Sequence, residues 1–187
     1  MKIVILDRDG TLNDASDGIV KSPQEWKPLP GALEAVARLN HAGYHVVLAT
    51  HQAGLGRGLV DMATLNTIHA LMHKQLAAVG GRVDAVFLCP HAPDEECQCR
   101  PPRPGLFELI GERFGTDLAG VPVISADPDH LAAAQQAGCR PCRILRPGPA
   151  DGSAADAGVA VPTGVFADLT SVVDALVGQA VRPAPAA

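Results

Sequence analysis

No run of apolar residues in this 187-residue chain approaches the roughly 20 that a membrane-spanning helix needs. Ahead of Asp7 only residues 3–6 are strongly apolar, too few for the apolar region of a secretory signal. A basic cluster is also missing. The formal net charge is -5 and the pI about 5.7, which argues against nucleic acid or an anionic membrane as the main partner. Five cysteines in a chain of this size do not suggest a disulfide scaffold, and no internal repeat is visible. What remains is the expectation of a cytoplasmic protein, acting as a monomer on a small molecule.

With 47% hydrophobic residues the chain is long enough for one well-packed domain and short for two, expected over residues 1–180 with a loose tail at 181–187. Apolar runs near 3–6, 44–49, 83–88, 121–125 and 142–145 read as strands buried on both faces. Helical patterns separate them. Pro30 and Gly31 open one that carries Leu33, Val36 and Ala37 and that Gly43 stops. Asp61 caps the next, where Leu65, Ile68, Met72, Leu76 and Val79 recur every three or four residues. A helix over 105–114 turns Leu106, Leu109 and Ile110 inward, another runs from about Asp129 to Ala137, and a last one groups Leu169, Val172, Val173 and Leu176. The Gly-, Pro- and Ala-rich segment 146–163 reads as a loop. Strand and helix in alternation predict an α/β domain of Rossmann-like type, a parallel sheet with right-handed crossovers flanked by helices.

The stretch "IVILDRDGTLN" delivers Asp7 and Asp9 to the carboxyl end of the first strand, where open α/β folds place their ligands. A carboxylate there serves as a nucleophile, becoming an aspartyl phosphate, while a second exchanges protons with the leaving oxygen and then with water. The plainer alternative is a strand-end turn, for which Asp and Gly are common. The second strand runs into "LATHQAGLGRG", whose glycines let backbone N–H groups approach an anion, with Thr50, His51, Gln52 and Arg57 as candidate phosphate and substrate contacts. The alternative is a flexible glycine-rich loop.

A third segment, "CPHAPDEECQC", supplies Cys89, His91, Cys97 and Cys99. Three thiolates and one imidazole complete a tetrahedral zinc shell with no open position, so the site reads as structural zinc pinning a loop. Cys139 and Cys142 read as ordinary buried thiols. His69 and His73 lie four apart on a helix and are expected on a half-exposed face. His41 and His45 have no evident partner.

In this order, Asp-x-Asp-Gly-Thr, Thr-x-Gln-x-Gly-x-x-Arg-Gly, and Cys-Pro-His followed by Cys-x-Cys-Arg and "RPGLF" resemble the haloacid dehalogenase superfamily. The closer resemblance is to its capless D-glycero-D-manno-heptose 1,7-bisphosphate 7-phosphatases, with histidinol-phosphate phosphatases as neighbours, and it covers essentially residues 1–145, "KSPQEW" included. It implies a phosphatase acting on a sugar bisphosphate in the route to ADP-heptose and the lipopolysaccharide core. Asp7 is then the nucleophile, Asp9 the general acid and base, and Thr50 the phosphate-binding hydroxyl. Magnesium is held by Asp7 and the backbone carbonyl of Asp9, and Arg100 binds the sugar's other phosphate.

Two motifs depart from that pattern. The family continues Cys-Arg-Lys-Pro, with the lysine bridging nucleophile and phosphate; here "CRPPRPG" puts Pro101 in its place, leaving Arg100 and Arg103 as the nearby cations. The family's fourth motif carries two acids four residues apart, the first of them a magnesium ligand. In "VPVISADPDHLAAA" those positions are Ala126 and His130, and the asparagine after the threonine is His51. Asp127, one residue on, is a tentative magnesium ligand; the plainer reading is that Asp127 and Asp129 open a helix, with Asp129 as its cap. The expectation is therefore a magnesium-dependent phosphatase, with an impaired or inactive paralogue that binds a sugar phosphate or regulates a partner as the alternative.

Overall fold

The computed structural model describes residues 1–15, 18–145 and 164–180. Six parallel strands form one sheet in the order β3-β2-β1-β4-β5-β6. They are β1 (Lys2–Leu6), β2 (Tyr44–His51), β3 (Ala85–Cys89), β4 (Pro122–Ser125), β5 (Arg140–Ile144) and β6 (Val165–Phe166). The first five match the apolar runs within a few residues. β6, two residues long on the sheet edge, has no such run because so short an edge strand buries too little to need one.

Side chains alternate across the sheet and divide the core in two. Val4, Leu6, Val46 and Leu48 face one layer, packed by α1 (Ala32–His41), α3 (Met62–Ala78) and α6 (Leu169–Ala180). Ile3, Ile5, Val47 and Ala49 face the other, packed by α4 (Gly105–Phe114) and α5 (Pro128–Gln136). One-turn α2 (Ala53–Gly56) follows β2 directly, so part of the glycine-rich stretch is helical. Asp61 caps α3 by accepting from the Thr64 N–H at 2.7 Å, and Gly43 takes the left-handed conformation (φ 83°) that ends α1. Among the described residues there is no separate cap domain, and no helix is long and apolar enough to cross a membrane. The expected loop at 146–163 and tail at 181–187 lie outside the described residues.

The inward face of α4 differs from the expected one. Leu106, Phe107 and Ile110 are buried, whereas Leu109 is 49% exposed. Phe107 is the larger side chain, and seating it against the sheet rotates the buried stripe away from Leu109. Leu106→Ala should therefore cost about 2–5 kcal/mol and Leu109→Ser no more than about 0.5 kcal/mol, as read from urea midpoints.

Candidate active site

The sheet order makes β1 and β4 neighbours while their connections leave in opposite directions, which opens a crevice at their carboxyl ends. Asp7 is the first residue past β1. Its N–H donates to the Ile124 carbonyl at 3.0 Å, extending the ladder with β4 by one bond. Both carboxylate oxygens are tied: Oδ1 accepts from the Arg8 N–H at 2.7 Å and Oδ2 from the Ser125 hydroxyl at 3.0 Å. Burial pushes the Asp7 carboxyl up to about 6; the positive form of His130 opposes this, and Asp9 and Asp127 add to it.

Arg8, between the two aspartates, is fully buried. Its Nε and Nη2 donate to Asp9 at 3.0–3.1 Å, Nη2 also to Gln52 Oε1 at 3.0 Å, and Nη1 to His69 Nε2 at 3.2 Å. Asp9 receives two further donors, the amides of Asn13 and Gln52, each at 2.9 Å. The other hydrogen of the Gln52 amide goes to the Thr50 hydroxyl at 2.9 Å. Since Thr50 Oγ accepts that bond, its own hydrogen is left to donate. Sequence reasoning found the two acids, Thr50 and Gln52 but gave Arg8, Ser125 and Asn13 no role. Nothing in one sequence distinguishes a buried arginine from an exposed one beside two acids.

A cavity of about 220 Å³ opens over these groups, lined by Asp7, Asp9, Gly10, Asp14, Ala15, Leu29, His51, Pro101, Asp127 and His130. Asp127, not Asp129, caps α5: its Oδ1 accepts from the Asp129 N–H at 2.9 Å, because Pro128 takes the first helical position and puts Asp129 in the first turn. The three candidate arginines lie elsewhere. Arg57 is exposed at the end of α2, Arg100 donates to the carbonyls of Ala92 and Glu95 at 2.6 and 2.7 Å, and Arg103 donates to the Cys97 carbonyl.

Cys89, His91, Cys97 and Cys99 converge, with all four ligand atoms within 4.8 Å of one another. Cys89 Sγ is 3.6 Å from His91 Nδ1 and 3.9 Å from Cys97 Sγ, and Cys99 Sγ is 3.3 Å from His91 Nδ1. Sulfurs held at about 2.3 Å from one tetrahedral ion sit roughly 3.8 Å apart, so the spacing fits zinc. The loop is stitched to the end of β2: the Gln52 N–H donates to the Cys89 carbonyl, the Gly56 N–H to that of Pro90, and His51 Nε2 to that of His91 at 3.0 Å. A Cβ on Gly56 would lie 2.3 Å from the Ala92 nitrogen, so this approach needs glycine.

His69 and His73 do not share a face: His69 is buried and His73 exposed. Arg8 cannot accept, so His69 Nε2 must carry its lone pair and the ring must be neutral. Burial first, and then the Arg8 charge, push the His69 pKa down from 6.5 to about 4. With the folded value below the unfolded one, the stability from this residue is complete above about 6.5 and is lost as pH falls toward about 4. The unfolding free energy of His69→Gln, which keeps an acceptor for Arg8, should therefore fall less steeply over that window than that of the wild type in urea titrations at stepped pH.

The family of polynucleotide kinase 3 phosphatases matches residues 2–141. The D-glycero-beta-D-manno-heptose-1,7-bisphosphate 7-phosphatase of Bordetella bronchiseptica is 51% identical over 180 residues, 96% of this chain and 100% of that protein. That of Pseudomonas aeruginosa is 40% identical over 176 residues, 93% and 97% of the two chains. The crystal structure of the D,D-heptose 1,7-bisphosphate phosphatase from B. bronchiseptica, complexed with magnesium and phosphate, superposes with a TM-score of 0.91 at 50% identity, covering 96% of this chain and 99% of that one. With two aspartates at the end of β1, a parallel sheet of this order and likeness of this extent, the chain belongs to the haloacid dehalogenase superfamily, in its heptose bisphosphate phosphatase family.

Proposed function

We propose that this protein is a phosphatase that removes the 7-phosphate of D-glycero-D-manno-heptose 1,7-bisphosphate through an aspartyl phosphate on Asp7. The observation that supports it most directly is Asp7 itself, fixed at both carboxylate oxygens on a cavity wall at the sheet's switch point. Both bonds orient the carboxylate for in-line attack on phosphorus. The Thr50 hydroxyl supplies a donor to a phosphoryl oxygen. Asp9 protonates the departing sugar oxygen and then takes a proton from the water that cleaves the acyl phosphate. Its carboxylate faces the Arg8, Asn13 and Gln52 donors, so the role requires it to turn from that cage toward the cavity.

The donors around Asp7 fit magnesium, a hard cation that takes oxygen ligands. The Asp7 carboxylate, the Asp9 backbone carbonyl and the Asp127 carboxylate would hold it; Ala126 offers no ligand, and Asp127, on the same cavity, has only Oδ1 engaged in capping. Bound there, the ion would neutralise charge on the phosphoryl group as it transfers. Zinc in the cysteine cluster would be structural, since its four ligands leave no open position. Burial pushes the Cys89 thiol up to about 12, and a divalent cation is the group that would turn such packed sulfurs into thiolates. In this reading the protein works as a cytoplasmic monomer on a small sugar phosphate, in the route to the lipopolysaccharide core.

Phosphate release from the bisphosphate with magnesium tests the proposal. The wild type should turn over, and Asp7→Asn should lose about a thousandfold or more. No release above the Asp7→Asn level from folded, zinc-loaded protein would favour the sugar-phosphate-binding or regulatory alternative, for which Pro101 and Ala126 speak. Metal analysis of protein purified without chelator should find about one zinc per chain, and Cys97→Ser should lose most of it.

A further inference from the structure

His130 is the buried titratable side chain on the cavity wall that the phosphatase reading leaves without a task. It stands in the first turn of α5, is 1% exposed, and lines the same cavity as Asp7, Asp9, Asp127, His51 and Pro101. Two contacts fix the ring. Nε2 lies 2.8 Å from the Ala49 carbonyl at the end of β2, and the Phe107 ring of α4 meets the imidazole edge-on, with centroids 5.1 Å apart and planes at 67°. A carbonyl only accepts, so Nε2 carries a hydrogen. Nδ1 is then the free nitrogen, buried and without a partner among the described residues.

An unpartnered polar atom this deep costs free energy unless a ligand completes it. The ionisable groups lining the same cavity are Asp7 and Asp9 after β1, Asp14 beyond them, Asp127 at the head of α5, and His51 at the end of β2. Four of the five are acids, and an ionised phosphoryl oxygen, like theirs, can only accept, so a bond to it takes a hydrogen on Nδ1. Its positive form also lies close enough to Asp7 to pull that carboxyl down against burial. Resting on the phosphatase reading, we infer that His130 is a phosphate-contacting residue whose Nδ1–H donates to an oxygen of the phosphoryl group that reacts at Asp7. Pro101 lines the same cavity and has no N–H to donate. No bond is made or broken at the ring, and its proton stays on Nδ1 through the transfer.

Two isosteric substitutions separate this role from a structural one. The Gln side-chain nitrogen overlies Nε2 and keeps the Ala49 bond while losing Nδ1; the Asn nitrogen overlies Nδ1 and loses the Ala49 bond. Inorganic phosphate titrated into the zinc-loaded full chain with magnesium, followed by calorimetry, should bind about 10- to 100-fold more weakly to His130→Gln and within about threefold of wild type to His130→Asn, the difference made by one charge-assisted hydrogen bond. A residue that only holds the end of β2 gives the reverse order. Equal affinity of His130→Gln and wild type, or no phosphate binding by the wild type, would also overturn the inference. Because the titration needs no turnover, a wild type that binds phosphate in the expected order yet releases none from the bisphosphate would overturn the phosphatase reading and leave the role of His130 standing.

Discussion

A guanidinium closed off from water sits directly behind the two aspartates, and the rest of the site is arranged around its needs. Burying a charge is costly unless it is paired and its hydrogens are satisfied. For Arg8 the pairing comes from Asp9, and the remaining donors go to Gln52 and His69. Those partners belong to three elements: the turn after β1, the residue after β2 and the middle of α3. One buried cation thus locks two strand ends and a helix in register. The same network sets the chemistry at its edge. Because Gln52 spends one amide hydrogen on Asp9 and the other on Thr50, the Thr50 hydroxyl is left pointing its own hydrogen elsewhere. Arg8 balances the charge of Asp9, while Asp7 and Asp127 remain on the cavity wall outside that pairing.

A second constraint acts from the opposite wall. Between β3 and α4 the chain runs through residues 90–104 with no helix or strand, too little structure to hold a position by its own backbone. Four soft ligands gathered at one point, with Arg100 and Arg103 donating to the loop's own carbonyls, take the place of a ladder. Tight backbone approaches finish the job. A Cβ on Gly105 would fall 2.5 Å from the Gln98 carbonyl oxygen, and the Gly56 N–H reaches the Pro90 carbonyl. The loop matters to the site because it carries Pro101, which lines the cavity, and because His51 joins it to the end of β2. Two of the three arginines that a reading of side-chain charge assigns to phosphate, Arg100 and Arg103, are engaged in holding this loop.

What was legible in the sequence follows from which signals are local. Asp7 and Asp9 stood out because a short apolar run ends on them, and the Cys89, His91, Cys97 and Cys99 cluster because four soft donors fall within eleven residues. The α/β architecture followed from strand and helix in alternation. Facing directions were harder. Leu109 fits an inward stripe by spacing, yet Phe107 claims the sheet and turns the helix. His69 looks like one of a half-exposed pair until the fold brings the Arg8 side chain, 61 residues away, against it. Asp127 and Asp129 are both plausible caps until Pro128 is recognised as the first helical residue. Each of these depends on a partner distant in sequence or on competition between neighbours for one face, which a single chain does not encode locally.

The departures from the family pattern are more informative as a set than one at a time. Relative to a cavity with one lysine and two fourth-motif acids, this chain lacks one positive and two negative charges at Pro101, Ala126 and His130. Asp127 returns one negative charge on the same cavity. In formal charge the losses cancel: the cation at 101 and the acid at 130 are gone, and the acid at 126 is replaced by its neighbour Asp127. His130 adds a hydrogen-bonding nitrogen on the same cavity as Asp7. Binding a dianion beside a divalent cation would impose such a balance, since an excess of acids repels the first and their absence releases the second. The balance belongs to the site as a whole, so the substitutions at Pro101, Ala126 and His130 are best understood as one rearrangement around Asp7.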